Sequence, residues 1–586
     1  MLSDRDSETM EEVDLLVCGA GAGGMTAALV ATLEGLNALL VEKTAQVGGT
    51  TSTSGGTTWV PGTHLSEQAG IPDKVEDARA FLESVVANRG GVRLREAFLT
   101  SGRAAIEELD RKTDVKFVAA AAHPDYLDGP GAAYGGRALG PLTFDGRLLS
   151  REDFDRVRPP RREFMGLGGM MVGRTELGAL LSPIASLANM RSTAEIVGSY
   201  LRDRLSYKRG TRLLMGNALV GRLLHSLRKA NVPIVFETGV KELIVEEGRV
   251  VGAILQGPAG LRRIRARKGV VLATGGIGWN RSIREKLFPA GTRDYALSPV
   301  TNTGDGADVA MAIGARFDDG GDSPALWMPC SSYRRQDGTL AVWPHIILDR
   351  AKPGLFAINA KGRRFVNEAN SYHDFAMGQI SSGAMPAHLV CDAAFMTRYG
   401  MGMILPGASN LKAMLQAGYV IKAKTLVELA GKIDCDANEL AETVESYNRA
   451  AIAGIDDAFG RGASVVNRFN GDATADGANP CLGPVGAGPY YAMSVRPADL
   501  ASSAGLSGDE FGRVLNEEGE PIVGLYACGN DLASIFRGTY PGPGTTIGPA
   551  VVFGWRVAKY AAGTLADMPE NESGGQTDER TRHATL

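Results

Sequence analysis

The chain has 586 residues, of which 44% are apolar and 22% are charged, and its formal net charge is −4. This length exceeds one ordinary hydrophobic core and predicts two large domains, while the composition is that of a globular protein in water. The small net charge gives no reason to expect a nucleic-acid partner. No apolar run approaches the roughly 18 residues of a spanning helix, and the acidic start MLSDRDSETMEE is unlike a signal peptide.

The six cysteines are scattered along the chain, and none of them forms a CxxC pair. This spacing predicts neither a disulfide framework nor a zinc site, so we expect no metal and a reduced, cytoplasmic setting. The polar ends, residues 1–11 and 569–586, are expected to be disordered tails.

The first structured segment predicts a strand, a glycine turn, a helix and a second strand. Val13–Cys18 is a short apolar run of buried-strand type, and the helix-forming run Met25–Leu33 follows a GxGxxG turn. Such glycines permit the turn and let the backbone approach a pyrophosphate at the helix N-terminus. The second strand, Leu39–Val41, ends at Glu42, where a carboxylate would accept hydrogen bonds from a ribose. The segment therefore predicts a dinucleotide site.

Three later segments favour FAD over NAD. The Ser/Thr- and Gly-rich run at residues 48–58, the strand and turn Gly269–Gly278, and the strand Gly524–Asn530 resemble cofactor-touching segments of two-dinucleotide-fold flavoproteins. The acid that ends the last motif in that family is replaced here by Asn530. No second GxGxxG follows a strand, so a built-in NAD(P)H site is not expected. The succinate dehydrogenase branch attaches FAD through a histidine, which Thr50–Thr58 lacks, so we expect non-covalent FAD.

The predicted FAD contacts are backbone groups, hydroxyls and two side chains at the end of the second strand. They include the start of a late helix, whose N–H groups and positive dipole end would face the pyrimidine edge of the flavin. The residues are Gly19, Gly21, Gly23, Gly24, Glu42, Lys43, Gly48, Gly49, Thr50, Thr51, Ser54, Gly55, Gly56, Ala273, Thr274, Gly275, Gly529, Asn530, Thr546 and Ile547.

These pieces lie at both ends of the chain, so the FAD-binding domain must be discontinuous. We expect an α/β, Rossmann-like FAD-binding domain at residues 12–325 and 500–568. An inserted α+β substrate domain would occupy residues 326–499, with amphipathic helices and strand-like runs. The active site would then lie between the domains, as small-molecule sites often do.

The segment RGTYPGPGTTIGPA, residues 537–550, contains one large side chain, Tyr540, in a turn that is otherwise rich in glycine and proline. With PDY at 124–126 and GRRFVNEANSYHDF at 362–375, it resembles the fumarate reductase-like flavoproteins, and among them the 3-ketosteroid Δ1-dehydrogenases. The resemblance extends over nearly the whole chain. The family usually has proline immediately before the second tyrosine, where this chain has Ser371.

The resemblance implies an FAD-dependent oxidoreductase acting on CH–CH groups. The Tyr540 hydroxyl and the Gly544 N–H would hold the C3 carbonyl of a lipophilic 3-ketosteroid. Tyr372, assisted by Tyr126, would remove the C2 proton, and flavin N5 would take the hydride from C1. An external acceptor, such as a quinone, a dye or oxygen, would then reoxidise the flavin. The residues fit this chemistry, since a hydroxyl and a fixed N–H together form an oxyanion hole.

Alternatives remain at this point. Each tyrosine could be an ordinary half-buried phenol, and Tyr134 lies close to Tyr126 in sequence. A 3-ketosteroid Δ4-(5α)-dehydrogenase has a similar architecture but Tyr-x-Ser in place of residues 540–542. A fumarate reductase-like enoate reductase would need arginines and a histidine to clamp two carboxylates, and Arg537 has no such partner beside it. A non-catalytic flavin-binding redox sensor is the third alternative.

Residues 165–190, MGLGGMMVGRTELGALLSPIASLANM, are strongly apolar. They lie in an extra segment, about residues 155–215, that marks a longer branch of the family. One interpretation is a core element or an oligomer interface. The other is a surface patch that collects a lipophilic substrate from a membrane, which would make the enzyme peripherally membrane-associated.

Overall fold

The computed structural model describes residues 10–346 and 349–565. The tails predicted to be disordered lie outside these residues except at Met10 and Glu11, and Glu11 begins the first strand. The fold is of the predicted α/β class and contains two large sheets with helices packed on them.

The first sheet has eight strands and carries the predicted dinucleotide unit at its centre. Its first strand is hydrogen-bonded in parallel to the strands on both sides, which is the arrangement that a strand–helix–strand crossover produces. From one edge the order is Ile234–Val235, Ala38–Val41, Glu11–Cys18, Gly260–Leu272, Arg249–Gly257 and Gly239–Glu246. Pro521–Ala527 also pairs with Gly260–Leu272, and Arg513–Leu515 pairs with Pro521–Ala527.

The second sheet has six strands, and all its pairs are antiparallel. Its strands come from a continuous stretch of sequence, in keeping with an inserted domain. In order they are Leu340–Pro344, Ala325–Arg334, Tyr490–Ser502, Ala387–Asp392 and Leu355–Ile358, with Ile421–Ala423 also paired to Tyr490–Ser502. The domain boundaries at 325/326 and 499/500 stay a prediction.

The helix after the first strand, Ala22–Leu33, is buried almost throughout and packs against the late helix Ile547–Ala562. Small side chains let the two helices approach, since a Cβ on Gly554 would lie 2.4 Å from the Gly23 carbonyl oxygen. This contact joins helices that are more than 500 residues apart in sequence and brings together two of the predicted FAD segments.

The other helices surround both sheets, and the shorter strands form small separate ladders. The helices are Gly49–Thr53, His64–Gln68, Val75–Val86, Val92–Lys112, Arg151–Arg156, Arg174–Leu181, Leu187–Asp203, Met215–Lys229, Arg281–Leu287, Asp305–Met311, Tyr372–Ser382, Ala393–Tyr399, Leu411–Gln416, Leu426–Ile433, Ala437–Ala453 and Val465–Asn470. The short ladders pair Ala138–Pro141 with Thr58–Trp59 and Phe117–Ala119, Phe144–Asp145 with Arg212–Leu213, Met165–Gly166 with Met170–Met171, and Phe317–Asp318 with Gly505–Leu506.

The apolar segment 165–190 is only partly a core element. Met170 and Met171 are buried, but Ile184 and Leu187 are 90% and 82% exposed. The core interpretation is therefore wrong for the second half of the segment, because its apolar side chains face solvent. Among the described helices, none is long and apolar enough to cross a membrane.

Candidate active site

The glycine turn before the helix Ala22–Leu33 has the backbone that a pyrophosphate site requires. Gly19 has a φ of 109°, and a Cβ there would lie 2.2 Å from the Ala273 carbonyl oxygen, so only glycine fits. A Cβ on Gly24 would lie 1.9 Å from the Gly19 carbonyl oxygen. Gly21 caps the helix, and a Cβ there would meet no atom within 4 Å. The turn is closed against the sheet and open at Gly21, beside the helix N-terminus.

The two side chains predicted at the end of the second strand have different partners. The Glu42 carboxylate accepts hydrogen bonds from the N–H groups of Ala20 and Thr44, both at 2.9 Å. Lys43 instead forms an ion pair, with 2.8 Å between its Nζ and Asp305 Oδ2. Glu42 is thus attached to the glycine turn, whereas Lys43 is held by a carboxylate of the protein.

The Ser/Thr- and Gly-rich segment folds over the same turn. The Gly48 N–H donates to the Ala20 carbonyl at 2.7 Å, and Thr51 Oγ1 accepts a hydrogen bond from the Ala22 N–H at 3.3 Å. These two contacts place Gly48 and Thr51 beside the helix N-terminus. The predicted run consists of Gly48, Gly49, Thr50, Thr51, Ser54, Gly55 and Gly56.

The turn at residues 273–276 (ATGG), which follows the strand Gly260–Leu272, is held by Asp531, a residue that was not predicted from sequence. Its carboxylate accepts hydrogen bonds from the Thr274 N–H, from the Thr274 hydroxyl at 3.0 Å and from the Gly276 N–H at 2.9 Å. Burial raises the pKa of Asp531 to about 6, and the hydrogen bonds oppose this shift. Since the family acid is replaced by Asn530 here, the aspartate beside it was the available clue.

Two further contacts connect the segments. Asn302, which was not predicted, donates to Thr50 Oγ1 at 3.3 Å and to the Gly275 carbonyl at 3.2 Å. A Cβ on Gly23 would lie 3.4 Å from the Gly529 nitrogen, so a glycine there keeps the first helix close to the turn at residues 529–531. These contacts connect the segments of Thr50, Gly275, Gly23 and Gly529, and the roles of the residues as FAD contacts stay a prediction.

The three predicted tyrosines meet in one buried cluster. Tyr126, Tyr372 and Tyr540 are 7%, 6% and 4% exposed. The ring centroid of Tyr372 lies 5.4 Å from that of Tyr126 and 5.1 Å from that of Tyr540, and the other two rings are 5.8 Å apart. Tyr134 is not in the cluster, because it is 54% exposed and packs against Phe469 instead. Side chains from three distant parts of the chain thus converge at one point.

Burial raises the pKa of all three phenols. For Tyr372, the neighbouring phenols Tyr126 and Tyr540 raise the pKa further. For Tyr540, hydrogen bonds from Tyr372, Thr545 and Thr546 partly offset the effect of burial. The cluster is therefore a set of neutral hydroxyls near pH 7.

Gly544 lies four residues after Tyr540 in a backbone conformation that needs glycine. Its φ is 95°, and a Cβ there would lie 2.4 Å from the Thr57 carbonyl oxygen. The Gly544 carbonyl accepts hydrogen bonds from Trp59 and Gly548. Its N–H, by contrast, donates to no protein acceptor within the described ranges. Thr546 then caps the helix that begins at Ile547.

The loop that carries Tyr126 is fixed by its neighbour Asp125, another residue missed from sequence. The Asp125 carboxylate accepts hydrogen bonds from Trp59 Nε1 at 2.8 Å and from Arg137 at 2.7 Å, all of them buried. The Tyr126 N–H donates to the Pro541 carbonyl at 2.7 Å. This backbone contact ties the first tyrosine directly to the loop of the third.

Tyr372 is the first residue of the helix Tyr372–Ser382, and Ser371 caps that helix through a hydrogen bond to the Asp374 N–H. The replacement of the family proline by serine is thus compatible with a helix start at the tyrosine. His373 Nδ1 accepts from the Trp327 N–H at 3.1 Å, so its Nε2 carries the proton and donates to the Gly538 carbonyl at 3.0 Å. Burial lowers the pKa of His373 to about 4, which keeps the ring neutral.

Together, the parallel sheet, the open Gly21 turn and the surrounding hydroxyl and N–H groups define a dinucleotide-binding flavoprotein with a phenol cluster beside the cofactor segments. Residues 14–547 match the FAD binding domain family, and the chain belongs to it. The predicted α/β flavoprotein fold and the FAD cofactor are confirmed.

Named relatives of similar length exist. The chain is 36% identical to the 4-oxocyclohex-2-ene-1-carboxylate 5-dehydrogenase of Sinomonas cyclohexanicum, over 96% of this chain and 95% of the relative. It is 34% identical to the 3-oxosteroid 1-dehydrogenase of Mycolicibacterium smegmatis, over 95% and 98% of the two chains. The crystal structure of 3-ketosteroid Δ1-dehydrogenase from Sterolibacterium denitrificans, in complex with 1,4-androstadiene-3,17-dione, superposes with a TM-score of 0.86 at 33% identity, covering 95% of this chain and 100% of that one.

Proposed function

We propose that the chain catalyses the FAD-dependent dehydrogenation of a ring ketone at the carbons next to the carbonyl, with 3-ketosteroids as the substrate class. The observation that carries the proposal is the buried cluster of Tyr126, Tyr372 and Tyr540 beside the unpaired N–H of Gly544. The named relatives support it, since one is a 3-oxosteroid 1-dehydrogenase and another is a 4-oxocyclohex-2-ene-1-carboxylate 5-dehydrogenase.

Two donors of the chain polarise the ketone. The Tyr540 hydroxyl and the Gly544 N–H belong to one loop, and Pro541 and Pro543 between them stiffen it. Both would bind the carbonyl oxygen and stabilise the negative charge that develops there, each typically by about 3–4 kcal/mol. A C–H next to the carbonyl becomes acidic only under this stabilisation. When FAD is bound, it accepts the hydride from the adjacent carbon.

Tyr372 receives the proton. A neutral phenol cannot take up a further proton, so the base is the Tyr372 phenolate. Because burial raises the pKa of Tyr372, this phenolate is scarce near pH 7, and turnover should rise with pH. Substrate binding draws the Tyr540 hydroxyl towards the ketone oxygen and removes one of the hydrogen bonds that Tyr372 makes. Tyr126 remains as the hydrogen-bond partner of Tyr372 and stabilises the negative charge on its phenolate oxygen.

The competing activities fit less well. Arg537, the arginine nearest to Tyr540, forms an ion pair with Asp318 at 2.6 Å and donates to the Arg89 carbonyl at 2.9 Å. Because its guanidinium is occupied by these contacts, Arg537 is not free to bind a substrate carboxylate, as a fumarate reductase would require. A Δ4-(5α)-dehydrogenase would place its reacting carbons elsewhere on the ring, and a redox sensor would show no turnover.

Anaerobic mixing of the FAD-loaded protein with a panel of 3-ketosteroids tests the proposal. We expect the flavin absorbance to bleach and a product with a C1–C2 double bond to form. A C4–C5 double bond would identify the Δ4 activity instead. Flavin that stays oxidised with every ring ketone would overturn the proposal and favour the redox sensor. Reoxidation by a quinone, a dye and oxygen would then identify the external acceptor.

We also propose a cytoplasmic enzyme that contacts membranes through residues 165–190. All six cysteines are free, in keeping with a reduced compartment. Exposed Ile184 and Leu187 supply an apolar surface that a lipophilic substrate could cross from a bilayer. Ile184→Asp with Leu187→Asp should weaken binding to liposomes and leave turnover of a water-soluble ketone unchanged. Loss of an oligomer in place of liposome binding would identify a subunit interface.

A further inference from the structure

The segment GRRFVNEANSYHDF, residues 362–375, contains buried polar side chains that the proposed chemistry does not use. Within it, only Tyr372 has a chemical role in the proposed function. Asn367 and Glu368 are buried ahead of this tyrosine, and only 8% of the Arg364 side chain is exposed. Buried polar groups are costly unless they are hydrogen-bonded, so the partners of these groups indicate what the segment does.

Asn467 binds the backbone of the segment directly ahead of the base. Its amide Nδ2 donates to the Ala369 carbonyl at 2.9 Å and to Asn370 Oδ1 at 3.2 Å. Its Oδ1 accepts from Asn367 Nδ2 at 2.9 Å and from the Gly462 N–H at 3.0 Å. An amide has two donor hydrogens and two acceptor lone pairs. The fully buried Asn467 side chain therefore uses its whole capacity, and three of its four bonds go to this segment.

Arg350 binds the same stretch of backbone from another part of the chain. Its guanidinium donates to the carbonyls of Glu368 at 2.6 Å, of Asn370 at 3.4 Å and of Ile346 at 2.7 Å. It also lies over the ring of Phe375, near the start of the helix that carries the base, 4.5 Å from the ring centroid. Arg350 is fully buried. A guanidinium donates to several carbonyls in a fixed planar geometry, which a lysine ammonium cannot reproduce.

The Glu368 side chain joins the segment to the second sheet. Its carboxylate accepts hydrogen bonds from the Ala357 N–H at 3.0 Å, from Arg364 at 2.8 Å and from Arg461 at 3.0 Å. Ala357 lies in the strand Leu355–Ile358 of that sheet. Burial alone would raise the pKa of Glu368, but the charges of Arg364 and Arg461 lower it to about 2. The carboxylate is therefore ionised at pH 7 and keeps these three partners.

These contacts lead to the tyrosine cluster. Ala369 packs in that cluster, and so does Val466, the neighbour of Asn467 in sequence. The Ala369 carbonyl that Asn467 holds is only three residues ahead of Tyr372, so the position of this backbone helps to determine where the phenol oxygen lies. A reacting group that is misplaced by about 1 Å can slow a reaction about 100-fold.

We propose that Asn467 and Arg350 are positioning residues for the base, Tyr372. Their hydrogen bonds to residues 367–370 hold the phenol oxygen in the position from which it removes the proton. Both side chains act through Tyr372 and not on the substrate itself. The inference rests on the proposed function, in which Tyr372 receives the proton, and it identifies the groups that orient this base.

Asn467→Ala and Arg350→Lys test the proposal in the FAD-loaded enzyme. The first removes all four amide hydrogen bonds, and the second keeps the charge but loses the planar fork. Each should slow anaerobic flavin reduction at saturating 3-ketosteroid by about 10- to 100-fold, with the dissociation constant of the ketone and the FAD content unchanged. Arg556→Lys is the matched control, because Arg556 is also fully buried and donates to the Ser101 hydroxyl and the Glu510 carbonyl. The control should lower Tm and keep the rate constant.

A double-mutant cycle separates positioning from a general structural role. Because both residues act through Tyr372, adding Asn467→Ala or Arg350→Lys to Tyr372→Phe should slow flavin reduction no further. A merely structural residue would slow the wild type and Tyr372→Phe by the same factor. Deuterium substitution gives a second readout, since an isotope effect reports the bond that breaks in the slow step. Deuterium at C2, where the base acts, should give a larger effect in Asn467→Ala than in the wild type, whereas the effect at C1 should not rise.

If either variant fails to fold, the other decides the question. Asn370→Ala is the mildest form of the test, because it removes the side-chain acceptor of the 3.2 Å hydrogen bond from Asn467. It should cause a smaller loss that also disappears in the Tyr372→Phe background.

Wild-type flavin reduction in these variants, or losses that add to the loss in Tyr372→Phe, would overturn the inference and leave the proposed function intact. Unchanged flavin reduction in Tyr372→Phe itself would overturn the assignment of the base, and the inference with it. Flavin that no ring ketone reduces in the wild type would overturn the proposed function as a whole.

Discussion

Replacing Tyr540 with phenylalanine removes one of the two proposed ketone donors and keeps the ring. The ring packs between Tyr126 and Tyr372 with centroids 5.8 and 5.1 Å away, so Tyr540→Phe should preserve the shape of the cluster. Loss of one oxyanion donor costs roughly 10²- to 10³-fold in turnover, or about 3–4 kcal/mol. FAD should remain bound, because the Tyr540 hydroxyl is not among its predicted contacts; Thr546 and Ile547 in the same segment are left unchanged.

Tyr540→Phe should also change the base, Tyr372, but in the direction that favours the reaction. The Tyr540 hydroxyl and its hydrogen bond both raise the pKa of Tyr372, so removing them makes that phenol easier to ionise. If flavin reduction is slower in Tyr540→Phe, the cause is therefore the weaker polarisation of the ketone, because the Tyr372 phenolate is more available in the variant. The alkaline limb of the pH–rate profile should move to lower pH in the variant.

Stopped-flow measurement of flavin reduction under anaerobic conditions is the assay. Tyr447→Phe is the matched control, since Tyr447 is 1% exposed and its hydroxyl accepts a hydrogen bond from the Gly354 N–H outside the cluster. The control should lose stability and keep its rate constant. Near-normal flavin reduction in Tyr540→Phe would refute the reasoning and leave this tyrosine a structural residue.

Three further predictions concern the base, the cofactor and pH. Tyr372→Phe should slow flavin reduction far more than Tyr126→Phe does, with FAD retained in both; equal rates would contradict the assignment of the base. Gly21→Leu should yield colourless protein, because the leucine side chain would fill the open space at the helix N-terminus where FAD is predicted to bind. Acid denaturation of the wild-type protein should release all of its FAD, since the cofactor is predicted to be non-covalent. Asp531 has a pKa of about 6 against the usual 3.8, so its stabilising contribution is complete below pH 4 and is lost as the pH rises through 6. In FAD-free protein, Asp531→Asn should remove about 3 kcal/mol of pH-dependent unfolding free energy, and an unchanged pH profile of Tm would count against this.

The sequence predicted those parts of the site whose chemistry is local. The glycines around Gly21 and the acid Glu42 follow a fixed spacing because one strand–turn–helix unit binds one pyrophosphate. Tyr540 and Gly544 were found together because they share a loop. The α/β class followed from the same alternation of buried strands and helices.

The parts that could not be predicted act across long stretches of sequence. Asp531 holds the turn at Thr274, and Asp125 holds Trp59, through hydrogen bonds that no local spacing reveals. The exposure of the apolar run near Ile184 was equally unpredictable, since composition does not tell whether an amphipathic helix finds a partner.

The separation of the FAD segments along the chain has a consequence for biosynthesis. Pro521–Ala527 forms a strand of the first sheet, and Ile547–Ala562 packs on the first helix, yet both are translated after the whole second sheet. The ribosome therefore releases a complete antiparallel sheet while the nucleotide-binding sheet still lacks strands. Because Gly529, Asn530, Thr546 and Ile547 are predicted FAD contacts, we expect a chain that stops short of residue 520 to bind no FAD, even with its glycine turn intact.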